Sequence, residues 1–279
     1  MKCAWQSYVG ILPQSIRTAV EPYRDSLTEV RMRIYAPIEL VTTTRTYSLK
    51  QNATLQEISY CINVASKYSP WAVSTVSKGY ITAAGGHRIG ICGEVVMKDG
   101  LMSGIATPTS ISIRVARDFP GIAARTSHLN GSILIIGPPG AGKTTLLRDL
   151  IRLRSDLHSG SVAVVDERRE IFPFENGTPS FPCGKQTDIL SGCSKAQGIQ
   201  ILLKNMTPHY VAVDEITSHK DCSALIDACW CGVKLICTAH AESRTDLLGR
   251  GVYRPLVESK IFDWLIVIDR HRSWNVERM

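Results

Sequence analysis

Apolar residues follow two different rhythms along the chain. In VRMRIYA, Val30, Met32 and Ile34 alternate with Arg31, Arg33 and Tyr35. A period of two predicts a half-buried strand with two arginines on its wet face. Pro37 interrupts it, and ELVTTTRTYSL continues as a second β-rich run. Upstream, PQSIRTAVE (13–21) predicts a short helix opened by Pro13 and ended by Pro22. Downstream, Thr54 and Glu57 form a T-x-x-E capping box. Leu55, Ile58, Ile62 and Ala65 follow at helical spacing, and Ser69-Pro70 is expected to end that helix. Residues 79–97 read as two strands around Gly85-Gly86, and Asp99-Gly100 marks another turn. SISIRVAR puts Ile111, Ile113 and Val115 on one face and Ser112, Arg114 and Ala116 on the other. The first 118 residues therefore predict a small α+β domain with an arginine-bearing sheet.

The rhythm changes near residue 130. Short, almost wholly apolar runs now alternate with helical stretches: ILIIG (133–137), VAVVD (162–166), YVAVD (210–214) and VKLICTA (233–239), with WLIVID (264–269) as a late strand. Strands buried on both faces and separated by helices predict an α/β domain around a mostly parallel sheet. The expected boundaries are 1–118 for the first domain, 119–131 for a linker and 132–279 for the second domain.

Composition narrows the class. At 279 residues, with 44% hydrophobic and 20% charged residues, the chain can bury a real core and is not a disordered protein. No run approaches the ~20 apolar residues of a membrane span. MKCAWQSYVGILPQSI lacks the apolar core of a secretory signal. The expected location is cytoplasmic, with any membrane association made through partners. The nine cysteines are irregularly spaced, with no CxxC pair and no zinc-finger spacing. Buried free thiols in a reducing compartment are the expectation. Net charge is 32 − 25 = +7. Residues 1–130 hold 14 Lys/Arg against 8 Asp/Glu, and the remainder hold 18 against 17. The basic excess thus lies ahead of the α/β domain, which weakens its use as an argument for nucleic acid. The basic runs also lack interleaved aromatics.

The chemistry is concentrated at the predicted strand ends. Gly137, Pro138, Pro139, Gly140, Ala141, Gly142, Lys143 and Thr144 fit G-x-x-x-x-G-K-[ST], with Thr145 next. The motif lies between a strand and a helix, where backbone amides and the helix N-terminus can cradle phosphates. Lys143 can reach the outer phosphates of ATP, and Thr144 with Asp214 can hold Mg²⁺. Asp166-Glu167 and Asp214-Glu215 each close an apolar run, which puts both pairs at the ligand-binding edge of a parallel sheet. One carboxylate is needed near the metal and another to activate water, so Glu167 and Glu215 are alternative bases. His240 follows the run VKLICTA and can sense a terminal phosphate. His87, His128 and His158 are expected on the surface, as are Arg148, Arg152 and Arg154 on the following helix. In a ring, Arg88, Arg114 and Arg117 of a neighbouring copy can meet phosphate charge.

With these stretches in view, the chain resembles the stage III sporulation protein AA family. That family lies within the secretion ATPase superfamily of type II, type IV and pilus-retraction motors. The matching stretches include ILIIGPPGAGKTTLLRDLIR, VAVVDERREI, TDILSGCSKAQGI and ILLKNMTPHYVAVDEI. The loop is generic, whereas DERREI and TDILSGCSKAQGI are specific. The resemblance implies a regulatory α+β domain followed by a RecA-like P-loop ATPase domain, assembled as a homo-hexameric ring. It implies ATP and Mg²⁺, membrane-embedded channel components as partners, and a place on the mother-cell side of the channel to the forespore. It assigns the general base to the pair Asp166-Glu167, water-mediated Mg²⁺ binding to Asp214-Glu215, the histidine box to His240, and nucleotide contacts to Arg88, Arg114 and Arg117. Gln186, Thr217 and His209 depart from the family pattern. Two other classes remain as alternatives: a nucleic-acid loader or translocase, and a nucleotide-gated scaffold with little turnover.

Overall fold

The computed structural model describes residues 3–67, 79–157, 160–175 and 177–279. They form two units: 1–118 with 173–181, and 119–172 with 182–279. The segment 173–181, inside the range expected for the second domain, is grouped with the first unit. Residues 119–131, expected as a linker, are part of the second.

The first unit begins with helices α1 (Trp5–Ile11) and α2 (Gln14–Val20). Its strands are β1 (Leu27–Arg33), β2 (Pro37–Thr42), β3 (Thr46–Asn52), β4 (Tyr80–Thr82), β5 (Arg88–Lys98) and β6 (Leu101–Arg114), with α3 (Leu55–Lys67) between β3 and β4. They make one antiparallel sheet in the order β3-β2-β1-β6-β5-β4. The alternation in β1 acts as expected: Val30 and Met32 are buried against Ile113 and Ile111 of β6, and Arg33 is exposed. Helices α1 to α3 add Tyr8, Ile16 and Ile58 to the same core. Thr54 and Glu57 form the capping box, Glu57 N–H donating to Thr54 Oγ1 and Thr54 N–H to Glu57 Oε2. The Ser69-Pro70 stop lies outside the described residues. The run ELVTTTRTYSL is a hairpin rather than one strand. Thr42 reverses the chain by accepting Arg45 N–H and donating its hydroxyl to Arg45 O, local bonding typical of threonine at turns. Asp99 and Gly100 both have positive φ, as a two-residue hairpin turn requires.

The second unit holds a seven-stranded sheet in the order β11-β8-β12-β13-β7-β14-β15. These are β7 (Ile133–Ile136), β8 (Val162–Asp166), β11 (Thr187–Ser191), β12 (Tyr210–Ile216), β13 (Lys234–Ala239), β14 (Trp264–Ile268) and β15 (Trp274–Arg278). The strands β9 (Phe174–Glu175) and β10 (Thr178–Pro179) form a separate small hairpin. All pairs in the sheet are parallel except β14 with β15. Helices α4 (Lys143–Asp156), α5 (Lys195–Met206), α6 (His219–Trp230), α7 (Arg244–Gly249) and α8 (Arg254–Glu258) complete the unit. All four residues of β7 are buried, worth roughly 1.5–3 kcal/mol per large aliphatic side chain. The strand β11, TDILS, carries too little apolar character to be read from periodicity.

Helix α4 does not present its arginines to solvent as expected. Arg154 is 1% exposed and donates to the carbonyls of Thr126, Ser127 and Leu129. Arg148 is buried and donates to Ile171 O and Glu170 O. Asp149 accepts the N–H groups of Gly121 and Ala123 and pairs with Arg152. Buried backbone carbonyls and amides need partners, and α4 supplies them to residues 119–131. All nine cysteines are free; Cys61, Cys222 and Cys237 are buried, whereas Cys92 and Cys231 are exposed, so burial holds for only some of the thiols. Among the described residues no helix is long and apolar enough to cross a membrane.

His128 is exposed as expected, and His158 lies outside the described residues. His87 is instead completely buried. Its Nδ1 accepts Ala116 N–H and its Nε2 bonds Ala4 O. Those partners fit a neutral ring with the proton on Nε2, since a proton on Nδ1 would face the Ala116 N–H. Burial, with Arg117 adding, lowers its pKa to about 4. The unfolded chain therefore takes up a proton, near pH 6.5, well before the folded one. Stability from this site is full above pH 6.5 and falls as pH drops toward 4, by about 3 kcal/mol. Urea denaturation of wild type and His87→Gln between pH 7.5 and 4.5 checks this. The variant should show a shallower fall, and parallel curves would contradict the assignment.

Candidate functional site

The loop after β7 is built for close backbone approach. A Cβ on Gly137 would stand 2.7 Å from Ile268 O, so no side chain fits there. Gly142 has φ 102° and serves as N-cap of α4, a conformation that favours glycine. The amides of 137–144 and the N-terminus of α4 thus form a ready site for an anion. Ala141 is buried and donates its N–H to Pro138 O, while Pro139 and Gly140 are exposed and Thr145 is half-buried.

Five side chains from three other places, β12, the end of β13 and the segment after β8, join the network that starts at this loop. Lys143 Nζ bonds Gly137 O at 2.8 Å, Pro138 O at 2.9 Å and His240 Nδ1 at 3.1 Å. Burial lowers the Lys143 pKa, and the Asp214 and Glu215 carboxylates oppose that shift. Because the ammonium can only donate, His240 Nδ1 accepts and Nε2 carries the ring proton. Nε2 then donates to Glu215 Oε1 at 3.0 Å. The other Glu215 oxygen pairs with Arg168. Thr144 Oγ1 donates to Asp214 Oδ2 at 2.6 Å. Thr238 Oγ1 donates to Asp214 Oδ1 at 2.5 Å and accepts Glu215 N–H at 2.7 Å.

The convergence depends on an irregularity in β12. Its register against β13 shifts between Val213 and Ile216, and Glu215 has φ 56°. A bulge at a strand end re-aims side chains, and a non-glycine residue at positive φ persists only where its surroundings hold it. Here Thr238 holds the Glu215 amide. Tyr253 accepts His240 N–H and donates to Ile216 O, tying the ends of β13 and β12 together.

The two acids at the end of β8 have different surroundings. Asp166 is buried and accepts the N–H groups of Glu170, Ile171 and Phe172. Burial raises its pKa, with those three amides opposing and Asp214 adding. This geometry makes Asp166 an anchor for the loop 170–172. Glu167 lies in a cleft of about 260 Å³, counting space open to solvent, together with Lys195, Arg168, Asp214 and Glu215. Lys195 Nζ bonds Glu167 Oε2 at 2.6 Å.

The arginines Arg88, Arg114 and Arg117 belong to the first unit. Arg88 stacks over the Tyr80 ring, Arg114 lies 3.9 Å from Glu29, and Arg117 donates to Arg24 O and Leu27 O. Lys195, Arg168, Thr238 and Tyr253 take part in the site without having been singled out from the sequence. Lys195 did leave a signal there: a cation in the first turn of a helix, where the macrodipole favours acids. Gln186 and His209 serve the backbone: Gln186 O accepts Val162 N–H, and His209 Nδ1 accepts Ser161 N–H. Thr217 bonds Asp221 at the start of α6.

A family model described as "Sporulation stage III, protein AA" matches residues 6–276. The chain belongs to that family. It is 36% identical to stage III sporulation protein AA of Bacillus subtilis over 94% of this chain and 90% of the relative. Two solved structures are similar in fold. The ATPase DotB of Yersinia pseudotuberculosis has a TM-score of 0.61 at 16% identity, covering 95% of this chain and 78% of its own. The pilus retraction motor PilT with bound ADP has a TM-score of 0.60 at 14% identity, covering 90% and 77%. The fold is therefore α/β, with a RecA-like P-loop unit preceded by a smaller α+β unit, as the sequence rhythm and the resemblance implied.

Replacing Thr238 by Val keeps the shape but leaves the Glu215 amide and one Asp214 oxygen without their partner. Urea denaturation should show a loss of about 1–3 kcal/mol, while Thr238→Ser stays within about 1 kcal/mol of wild type. A Val variant as stable as wild type would show that the hydroxyl bridge does not hold the bulge.

Proposed function

We propose that the second unit binds ATP with Mg²⁺ and hydrolyses it. Copies of the chain would assemble into a ring, hexameric as the family resemblance implies. The ring would power or gate a channel between mother cell and forespore, docked from the mother-cell cytoplasm onto membrane-embedded channel components. No specific nucleic-acid partner is part of this reading. One observation carries it: Lys143, His240 and Glu215 form a bonded chain that starts at the glycine-rich loop, beside the Thr144–Asp214 pair.

The residues at that pair suit Mg²⁺. Thr144 Oγ1 and Asp214 Oδ2 are hard oxygen donors at the exit of the loop, and Mg²⁺ is commonly held by few protein oxygens together with substrate phosphates. When bound, the ion would offset phosphate charge during transfer. Loop amides and the α4 N-terminus would bind phosphate oxygens. Lys143 would exchange Gly137 O, Pro138 O and His240 Nδ1 for phosphate, and His240 would pass the change to Glu215. Both Glu215 oxygens have charged or ring N–H partners, whereas Glu167 Oε1 has none among the described residues. That difference supports Glu167 as the carboxylate that takes the proton of the attacking water.

Single-turnover phosphate release tests the reading. Lys143→Ala should weaken ATP-analogue binding at least tenfold, roughly the cost of losing one charge-assisted contact. Glu167→Gln should bind ATP yet hydrolyse it on the order of 100-fold more slowly, with a smaller loss for Glu215→Gln. Wild-type rates in both glutamine variants would refute hydrolysis at this site. The reverse ranking would move the base to Glu215. Stimulation by DNA would favour a loader, and tight ATP binding without phosphate release would favour a nucleotide-gated scaffold.

A further inference from the structure

Lys195 stands where local physics disfavours it. It is the first residue of α5, the end at which the helix macrodipole is positive. Its side chain is only 5% exposed, so its charge has also lost most of its water. The neighbouring cap does not relieve this: Ser194 makes no cap bond to the helix amides and spends its hydroxyl on Gln197. The first turn carries no acid. Against these costs the ammonium has one hydrogen-bond partner among the described residues, Glu167 Oε2 at 2.6 Å. Glu167 is itself 38% exposed at the side chain and does not need an ion pair in order to be solvated. The pairing is therefore costly to the lysine and optional for the glutamate.

We propose that Lys195 is a positioning residue for hydrolysis. By holding Glu167 Oε2 it fixes the carboxylate in one rotamer and leaves Oε1 as the open oxygen, the acceptor for the proton of water. The inference rests on the reading of Glu167 as the water-activating group. Lys195 is given no contact with substrate, and its effect is exerted through Glu167. Positioning of this kind acts on the chemical step more than on binding, because a misplaced base slows proton transfer without changing the nucleotide's own contacts.

The test compares Lys195→Met, Lys195→Arg, Glu167→Gln and the Met/Gln double variant in the full chain, after thermal melting confirms that each folds. ATP hydrolysis is followed at steady state and in single turnover, and affinity is read with a non-hydrolysable ATP analogue. Lys195→Met should lower kcat on the order of 10- to 100-fold with KM and analogue affinity within about threefold of wild type. Lys195→Arg, which keeps the charge, should recover most of the rate. In the Glu167→Gln background, Lys195→Met should change the residual rate by less than about twofold, since residues acting as one unit are non-additive. A wild-type kcat in Lys195→Met, or an equal fold-loss in both backgrounds, overturns the proposal. Should Glu167→Gln itself hydrolyse ATP at the wild-type rate, the assignment of the base falls first and takes this proposal with it. An inactive Glu167→Gln beside a fully active Lys195→Met sinks the role of Lys195 alone.

Discussion

The carboxylate of Asp214 is shared between two hydroxyls, and the rest of the site depends on that sharing. One oxygen takes the proton of Thr144 at the start of α4, and the other takes that of Thr238 in β13. The same Thr238 oxygen accepts the amide of Glu215, which is what holds a non-glycine residue at positive φ. Without the bulge, β12 would continue its alternation, and Asp214 and Glu215 would point to opposite faces of the sheet. With it, both belong to one polar set: Asp214 reaches the residue after the loop lysine, and Glu215 reaches that lysine through His240. A strained residue is informative when its surroundings visibly enforce it, and here the enforcing group is also the one that orients the acid.

The helix carrying Lys143 and Thr144 buries Leu146, Leu147, Leu150 and Ile151, and polar bonds fix it as well. Asp149 and Arg154 satisfy backbone groups of residues 119–131, and Arg148 does the same for Glu170 and Ile171. Asp166 meets the Arg148-bound loop from the other side through the amides of 170–172. The loop that follows Glu167 is therefore held at both its carbonyls and its amides. These bonds restrict the chain just before it leaves the second unit at Phe172, to return at Pro182. A precise loop geometry requires this kind of support from a surrounding shell.

Legibility in the sequence followed how local each cause was. The change from period-two alternation to solid apolar runs identified both sheets, because burial on one face or two is written directly into the strand. The loop 137–144, Asp214 and His240 could be read since each directly follows or ends such a run. The position of Asp166 is legible but its three amide partners are not: a terminal strand acid looks the same whether it faces substrate or amides further along the chain. The arginines of α4 misled for a related reason. Arg148 and Arg154 accept burial because carbonyls distant in sequence need donors, and periodicity carries no record of those carbonyls. His87 is the same case in the first unit, its ring satisfied by Ala4 and Ala116. The strand β11 escaped because its neighbour β8, not its own residues, makes it a strand.

Lys195 shows what a violated local rule can add. Helix-start chemistry expects an acid or a neutral cap there, and the sequence instead offers a lysine behind Ser194. Taken alone, such a residue is easily dismissed as a long side chain that bends back to water. Its burial removes that explanation, and the partner it takes is a half-exposed glutamate that water could solvate without it. Real sequences tend to break local rules where function constrains them. The break at Lys195 falls beside the acidic residue whose role the sequence left open between two glutamates. The two glutamates differ in how their oxygens are occupied: Glu215 is bonded at both, to His240 and Arg168, and Glu167 at one, by Lys195. A base must keep an oxygen for its proton, so it is the lysine's single bond that makes the pair asymmetric in the useful sense.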